Sequence, residues 1–348
     1  MLAVPPDLVY NVHRKNKGVH DVKKFLKILG IILLIFVAAA IVLWLSGTSR
    51  QKFEGTDAEL SSWMAKVSDD AALNRIAIPG SHDSGTAGIT YLGETQTYSI
   101  KEQLESGARY FDIRVHKDGD KLVIFHSIFD GVDFDSVLDD IADFITAHPS
   151  EVLLLDFQHF KGDSQNDVYA LLDKKLHSEG LCVENTREVG AVQFIRELKL
   201  GDVRGKCIIF WGDRDNCTSN WLFPRNDDEC TFNNMCLDSY YIGSYHKSDS
   251  DTLIKQAYPV YFAQLDKNLE NGSDAIFVLQ TQLTDGKLIF GPWSREKKND
   301  PIISEYIRGL AASDRLEYIN VIMRDFITPE KCADIIALNS VKGIMSIG

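Results

Sequence analysis

The chain has 348 residues, 45% of them hydrophobic and 25% charged, an ordinary globular composition that argues against bulk disorder. Its formal net charge of −13 argues against a nucleic-acid partner, because gripping a phosphate backbone needs a basic face. The length accommodates one α/β barrel of ~250 residues with chain left over.

The charge is uneven along the chain. The first 27 residues carry Arg14, Lys15, Lys17, Lys23, Lys24 and Lys27 against Asp7 and Asp21, and the acidic excess follows residue 53. Next comes an uncharged apolar run, Ile28 to Leu45, with Trp44 near its far end. Its length meets the ~18 residues that a spanning helix needs, and the aromatic sits where an interfacial ring is expected. A cleaved signal peptide is the alternative, but its apolar region is shorter, ~7–15 residues. The expected layout is a cytoplasmic basic tail over 1–24, a transmembrane signal anchor over 25–46, a polar stalk over 47–70 and a folded domain over 71–348. The positive-inside rule makes this a single-pass type II membrane protein whose folded domain is extracellular or luminal. Two glycosylation acceptor sequences, at Asn216 and Asn271, agree with export. So do six cysteines beyond residue 181, which permit disulfides. Cys217, Cys230 and Cys236 cluster in a loop-like stretch suited to a bridge, with buried free thiols as the alternative.

Beyond residue 70, short apolar runs alternate with helix-like stretches. Strands are expected at Arg75 to Pro79, Tyr110 to Arg114, Leu122 to His126, Val152 to Phe157, Cys207 to Trp211, Ala275 to Gln280 and Tyr318 to Met323. One more falls near either Asp238 to Ile242 or Val260 to Leu265. Helices are expected at Val137 to Ala147, Asn166 to Ser178 and Ile302 to Ala312, and residues 212–237 and 281–300 read as long loops. Apolar strands separated by helices point to a parallel sheet covered on both faces. About eight of them suit a distorted TIM (β/α)8 barrel, preceded here by the transmembrane helix.

Polar residues stand where these strands end: Ser81-His82-Asp83-Ser84 after the first, Asp112 and Arg114 in the second, His126 after the third, and Arg324-Asp325 after the last. In a parallel barrel the carboxyl ends converge on one rim, where active sites sit. Two histidines can share acid and base work near neutral pH, an arginine can neutralise a developing phosphate charge, and carboxylates can orient the imidazoles. Taken singly, each of these residues is more often structural.

The segments IPGSHDSGT, GARYFDIRV with LVIFHS, PSEVLLLDFQHF, LGDVRGK, LDSYYIGSY and VIMRDFITPEKCADIIALN resemble, in order, those of the phosphatidylinositol-specific phospholipase C X-domain family. The match is nearer its bacterial and small eukaryotic members than the large calcium-dependent enzymes. The resemblance implies a catalytic barrel over 71–348 that cleaves an inositol phospholipid or a glycosylphosphatidylinositol anchor, with no cofactor and no obligatory protein partner. It implies His82 as base, Asp325 behind it, Arg114 on the phosphate, and His126 as acid assisted by Asp83 and Asp112. Asp83 and Arg114 stand where calcium-dependent members carry metal ligands, so the implied enzyme needs no metal. Asp238 and Tyr240 match inositol-holding positions. A basic inositol ligand expected near Phe210-Trp211-Gly212 is missing, with Arg214 as its substitute, and a family lysine is replaced by Gln158 or His159. The alternatives are a non-catalytic inositol-lipid-binding protein and a metal-dependent glycerophosphodiester-type phosphodiesterase.

Overall fold

A computed structural model describes residues 22–41, 52–56, 58–212, 219–225, 236–238, 248–272, 275–283 and 291–346. The chain divides into two units, Met1–Arg50 and Gln51–Gly348. In the first, Val22–Ile41 is a 20-residue helix of mean hydropathy 2.5, long and apolar enough to cross a membrane.

The second unit is a nearly closed barrel of eight parallel strands: β1 (Ile78–Ser81), β2 (Tyr110–Asp118), β5 (Val152–Lys161), β6 (Lys206–Trp211), β7 (Leu222–Pro224), β8 (Leu237–Asp238), β9 (Ile276–Gln280) and β10 (Val321–Arg324). Around the sheet the order is β7-β6-β5-β2-β1-β10-β9-β8, and a single parallel bridge, Arg225 to Leu237, joins its two ends. The strands are apolar on both faces because interior and helical layer each bury one face. The helix Phe134–Ala147 shows how the layer forms. Asp133 caps it by accepting from the Ser136 amide at 3.1 Å, and Phe134, Val137, Leu138, Ile141, Phe144 and Ile145 recur at helical spacing on its buried face.

The structure departs from or narrows the expected elements at several places. The run ending in His126 is not a barrel strand: β3 (Lys121–His126) and β4 (Phe129–Asp133) form an antiparallel hairpin, with β3 paired to an extension of β2. The Val260 to Leu265 run lies in the helix Tyr258–Glu270, where Tyr258, Tyr261 and Leu265 are buried at helical spacing. Residues 291–300 are not loop but belong to the helix Gly291–Gly309, which buries Glu296, Asn299 and Ser304 beside Ile303 and Ile307 and so shows no clean apolar stripe. Strand β7 went unforeseen, because three residues are too few to carry a period. The eighth strand is β8, at the first of its two expected places.

Residues 58–66, read as stalk, are built into the barrel floor. Trp63 and Met64 are buried, and the Trp63 indole donates to Gly107 O at 3.0 Å. Arg109, fully enclosed, ties the segment down: its Nε donates to Glu151 Oε2 at 2.9 Å and its Nη2 to Ser61 O at 2.8 Å. Glu151 Oε2 also accepts from the Met64 amide at 3.3 Å. Breaking a buried pair strands a charge away from water, so Glu151→Ala is expected to cost about 3–5 kcal/mol in denaturant unfolding. A loss under ~1 kcal/mol, the range of exposed pairs, would contradict this account of the floor.

Candidate active site

The segment after β1 is shaped by packing. A Cβ on Gly80 would lie 2.9 Å from both Tyr110 and Val321, and one on Gly85 would lie 2.6 Å from Ile124 of β3. Between these glycines the chain turns sharply at Asp83, whose φ of 43° is left-handed, a region that aspartate tolerates better than most residues. The Asp83 amide donates to Asp112 Oδ2 at 3.2 Å and the Ser84 amide to Asp112 O at 2.9 Å, which fastens the turn to β2.

Six expected residues, His82, Asp83, Asp112, Arg114, His126 and Asp325, are brought together here. His82 Nδ1 lies 2.7 Å from Asp325 Oδ1, and its Nε2 lies 3.2 Å from Asp83 Oδ2. The same Asp83 oxygen lies 3.4 Å from His126 Nε2. The other, Oδ1, accepts from Arg114 Nε at 2.8 Å, while Arg114 Nη2 donates to Asp112 Oδ2 at 3.0 Å. His126 arrives on the β3–β4 hairpin rather than on a barrel strand, and its Nδ1 lies 2.6 Å from Gly93 O. A carbonyl only accepts, so Nδ1 carries the proton and Nε2 faces the cleft.

These contacts set the charges. Burial would raise the Asp83 pKa, but Arg114, His82 and His126 outweigh it and hold the carboxyl well below the ordinary range. Burial would lower His82, yet Asp83, Asp325 and Asp112 together raise it above the ordinary histidine value of 6.5. Arg114 is likewise held fully charged: Asp112 and Asp83 outweigh its burial. His82, Asp83 and Asp112 present ligand atoms within 4.8 Å of one another, a spacing that could hold a cation. The Arg114 guanidinium, however, already lies against both carboxylates.

Other expected residues fall elsewhere. Asp238 is buried at the end of β8 and accepts from Asn268 of the helical layer, not from the histidine group. Gln158 donates to Asp156 Oδ2 at 3.0 Å, and His159 is the register partner of Arg114. Arg214, Tyr240, Asn216, Cys217 and Cys230 lie outside the described residues. Asn271 is exposed at the end of the helix Tyr258–Glu270. Cys182, Cys207 and Cys332 are buried thiols. Sequence reasoning missed a buried interior group: Arg225 Nε sits 2.7 Å from Asp156 Oδ1, and Tyr110 OH donates to Asp156 Oδ2 at 2.7 Å. An acid inside the apolar run LLLDF was a usable signal for Asp156; Arg225, in a patternless stretch, offered none.

An eight-stranded parallel barrel with two histidines and an arginine around one carboxylate at its carboxyl rim defines the class. Residues 70–212, less than half of the chain, match the family model "Phosphatidylinositol-specific phospholipase C, X domain". Human "PI-PLC X domain-containing protein 2" is 34% identical over 134 residues, 29% of this chain and 44% of that protein. A "1-phosphatidylinositol phosphodiesterase" of Listeria monocytogenes is 38% identical over 101 residues, 27% of this chain and 31% of that one. The matches thus span less than half the length of these relatives. The solved phosphatidylinositol-specific phospholipase C of Listeria monocytogenes shares the fold at a TM-score of 0.60 and 20% identity, covering 80% of this chain and 98% of that one. That of Staphylococcus aureus does so at 0.61 and 19%, covering 82% and 99%.

His82 is expected to titrate above 6.5, and Asp325→Asn, which removes the charge nearest Nδ1, is expected to bring its midpoint down. A histidine NMR titration reads this directly; an unmoved midpoint would show that Asp325 is not what holds the ring.

Proposed function

We propose that the chain is a metal-independent phospholipase C that cleaves phosphatidylinositol, glycosylphosphatidylinositol anchors or both, giving diacylglycerol and an inositol 1,2-cyclic phosphate. The observation that carries this reading is Asp83 Oδ2, which faces the Nε2 atoms of both His82 and His126 while Arg114 holds the other oxygen. Two proton carriers thus aim at one small volume with a fixed cation at its side. His82 takes the proton of the inositol 2-hydroxyl as its oxygen attacks phosphorus. His126 gives a proton to the departing diacylglycerol oxygen. The two steps leave His82 protonated and His126 neutral, and exchange with water restores both. Arg114 turns donors toward the non-bridging oxygens, where charge builds in the transition state. Asp325 keeps His82 in the tautomer that presents a lone pair at Nε2.

The spacing of His82, Asp83 and Asp112 favours a metal-dependent phosphodiesterase as the second reading. Against it stands Arg114, which supplies positive charge at the carboxylates a metal would use. The glycosylphosphatidylinositol substrate follows from the proposed type II topology, since such anchors face the exoplasmic leaflet. Support for an inositol lipid also comes from the names of the relatives.

The full chain with chelator is expected to release water-soluble inositol phosphate from phosphatidylinositol vesicles, and a glycosylphosphatidylinositol-anchored protein from its membrane. Turnover that appears only on adding a divalent cation would favour the metal-dependent reading. His82→Ala and His126→Ala are each expected to lower kcat by about 10²–10⁴. Arg114→Lys, which keeps the charge but loses the planar fork, is expected to cost about 10²-fold, and an unaffected kcat would remove it from the site.

A further inference from the structure

We propose that Gln96 is a positioning residue: its buried amide joins the two strand ends that carry His82 and Asp325 and so sets the geometry of the base. This rests on the phospholipase reading for its catalytic consequence, but not for its structural one.

The ladder between β1 and β10 runs from Ile78 with Val321 to Ser81 with Arg324, and its last rung is the His82 amide donating to Arg324 O at 3.0 Å. Just beyond it, both chains take conformations that non-glycine residues rarely adopt: φ is 43° at Asp83 and 48° at Phe326. Such strain persists only where surrounding contacts over-determine the backbone. No backbone rung is left to hold these turns together, and Gln96 takes that place. Its Nε2 donates to His82 O at 2.9 Å and to Arg324 O at 3.0 Å, and its Oε1 accepts from the Ile327 amide at 2.8 Å. Two carbonyls and one amide fix which end of the side chain is nitrogen. The side chain therefore acts as a surrogate peptide that extends the sheet by one rung between the base and its carboxylate. Thr95 adds to the strap: its Oγ1 bonds His82 O at 3.3 Å and Asp83 O at 3.2 Å, and its carbonyl accepts from the Phe326 amide at 2.7 Å.

Gln96 is fully buried and its side chain hydrogen-bonds the backbone groups of His82, Arg324 and Ile327, so its effect runs through the His82–Asp325 contact. The charged groups facing that contact are Asp83, which follows β1, and Asp112 of β2, with Arg114 and His126 beyond Asp83. Lys331, from the helix Pro329–Val341, donates to Asp325 O at 3.0 Å and pairs with Glu296 at 2.6 Å. None of these replaces the amide bridge between the two backbones.

The test uses the full chain and three variants: Gln96→Leu, Asp325→Asn and the double variant. Gln96→Leu is expected to lower kcat about ten- to a hundredfold with KM little changed, the size of effect that misplacing a catalytic group gives. The His82 NMR midpoint is expected to fall toward that of Asp325→Asn. In the double variant, adding Gln96→Leu to Asp325→Asn is expected to cost little further, because both act on one contact. A His82 midpoint unmoved in Gln96→Leu, or losses that multiply independently in the double variant, would overturn the proposal. If Gln96→Leu fails to fold, Gln96→Met, of matching length without hydrogen bonds, decides by the same readings. If the unmodified chain turns over no lipid, the phospholipase reading fails, and the midpoint shift alone decides whether Gln96 positions His82.

Discussion

Asp83 is an enclosed carboxylate whose two oxygens face an arginine and two imidazoles, and the rest of the rim is arranged around that fact. Left alone in a buried site it would take up a proton. Instead Arg114 at 2.8 Å and the two histidine Nε2 atoms at 3.2 and 3.4 Å keep it ionised. The ionised Asp83, with Asp325 and Asp112, in turn raises the pKa of His82. Asp83, His82 and Arg114 thus hold one another's charges in place.

The fold supplies the rigidity this cluster needs. His82, Asp112, Arg114 and Asp325 come from three neighbouring strands, β10-β1-β2, whose parallel register puts their carboxyl ends side by side. His126 comes from outside the barrel, on a hairpin that Gly85 allows to approach and that Gly93 O orients. At the opposite end, the Arg109–Glu151 pair seals the floor with the segment that precedes β1. The buried floor pair and the histidine cluster thus lie at opposite ends of the barrel, the division usual in parallel barrels.

Much of the site was legible in the sequence because its residues lie at the ends of short apolar strands or within motif segments. His82, Asp83, Asp112, Arg114 and Asp325 sit at or next to barrel strands, and the structure gathers them. His126 was found for the wrong structural reason: a strand in an antiparallel hairpin and one in a barrel have the same composition, and only pairing tells them apart. Arg225 was illegible, since nothing in residues 212–237 marks a strand end. Gln96 was equally hidden. Its role depends on three backbone groups at residues 82, 324 and 327, and no local pattern in Glu94-Thr95-Gln96-Thr97 encodes that meeting. The part of the helix Gly291–Gly309 before Ile302 escaped because the side chains it buries, Glu296 and Asn299, are polar.

The central claim is that two histidines around Asp83 move protons for an internal nucleophile, with Arg114 in place of a metal. Phosphorus NMR of the products formed from phosphatidylinositol in the presence of chelator tests it most directly. The account predicts that the five-membered cyclic phosphate is the first product. Direct formation of the acyclic monophosphate, with an oxygen from solvent and a requirement for a divalent cation, would contradict it.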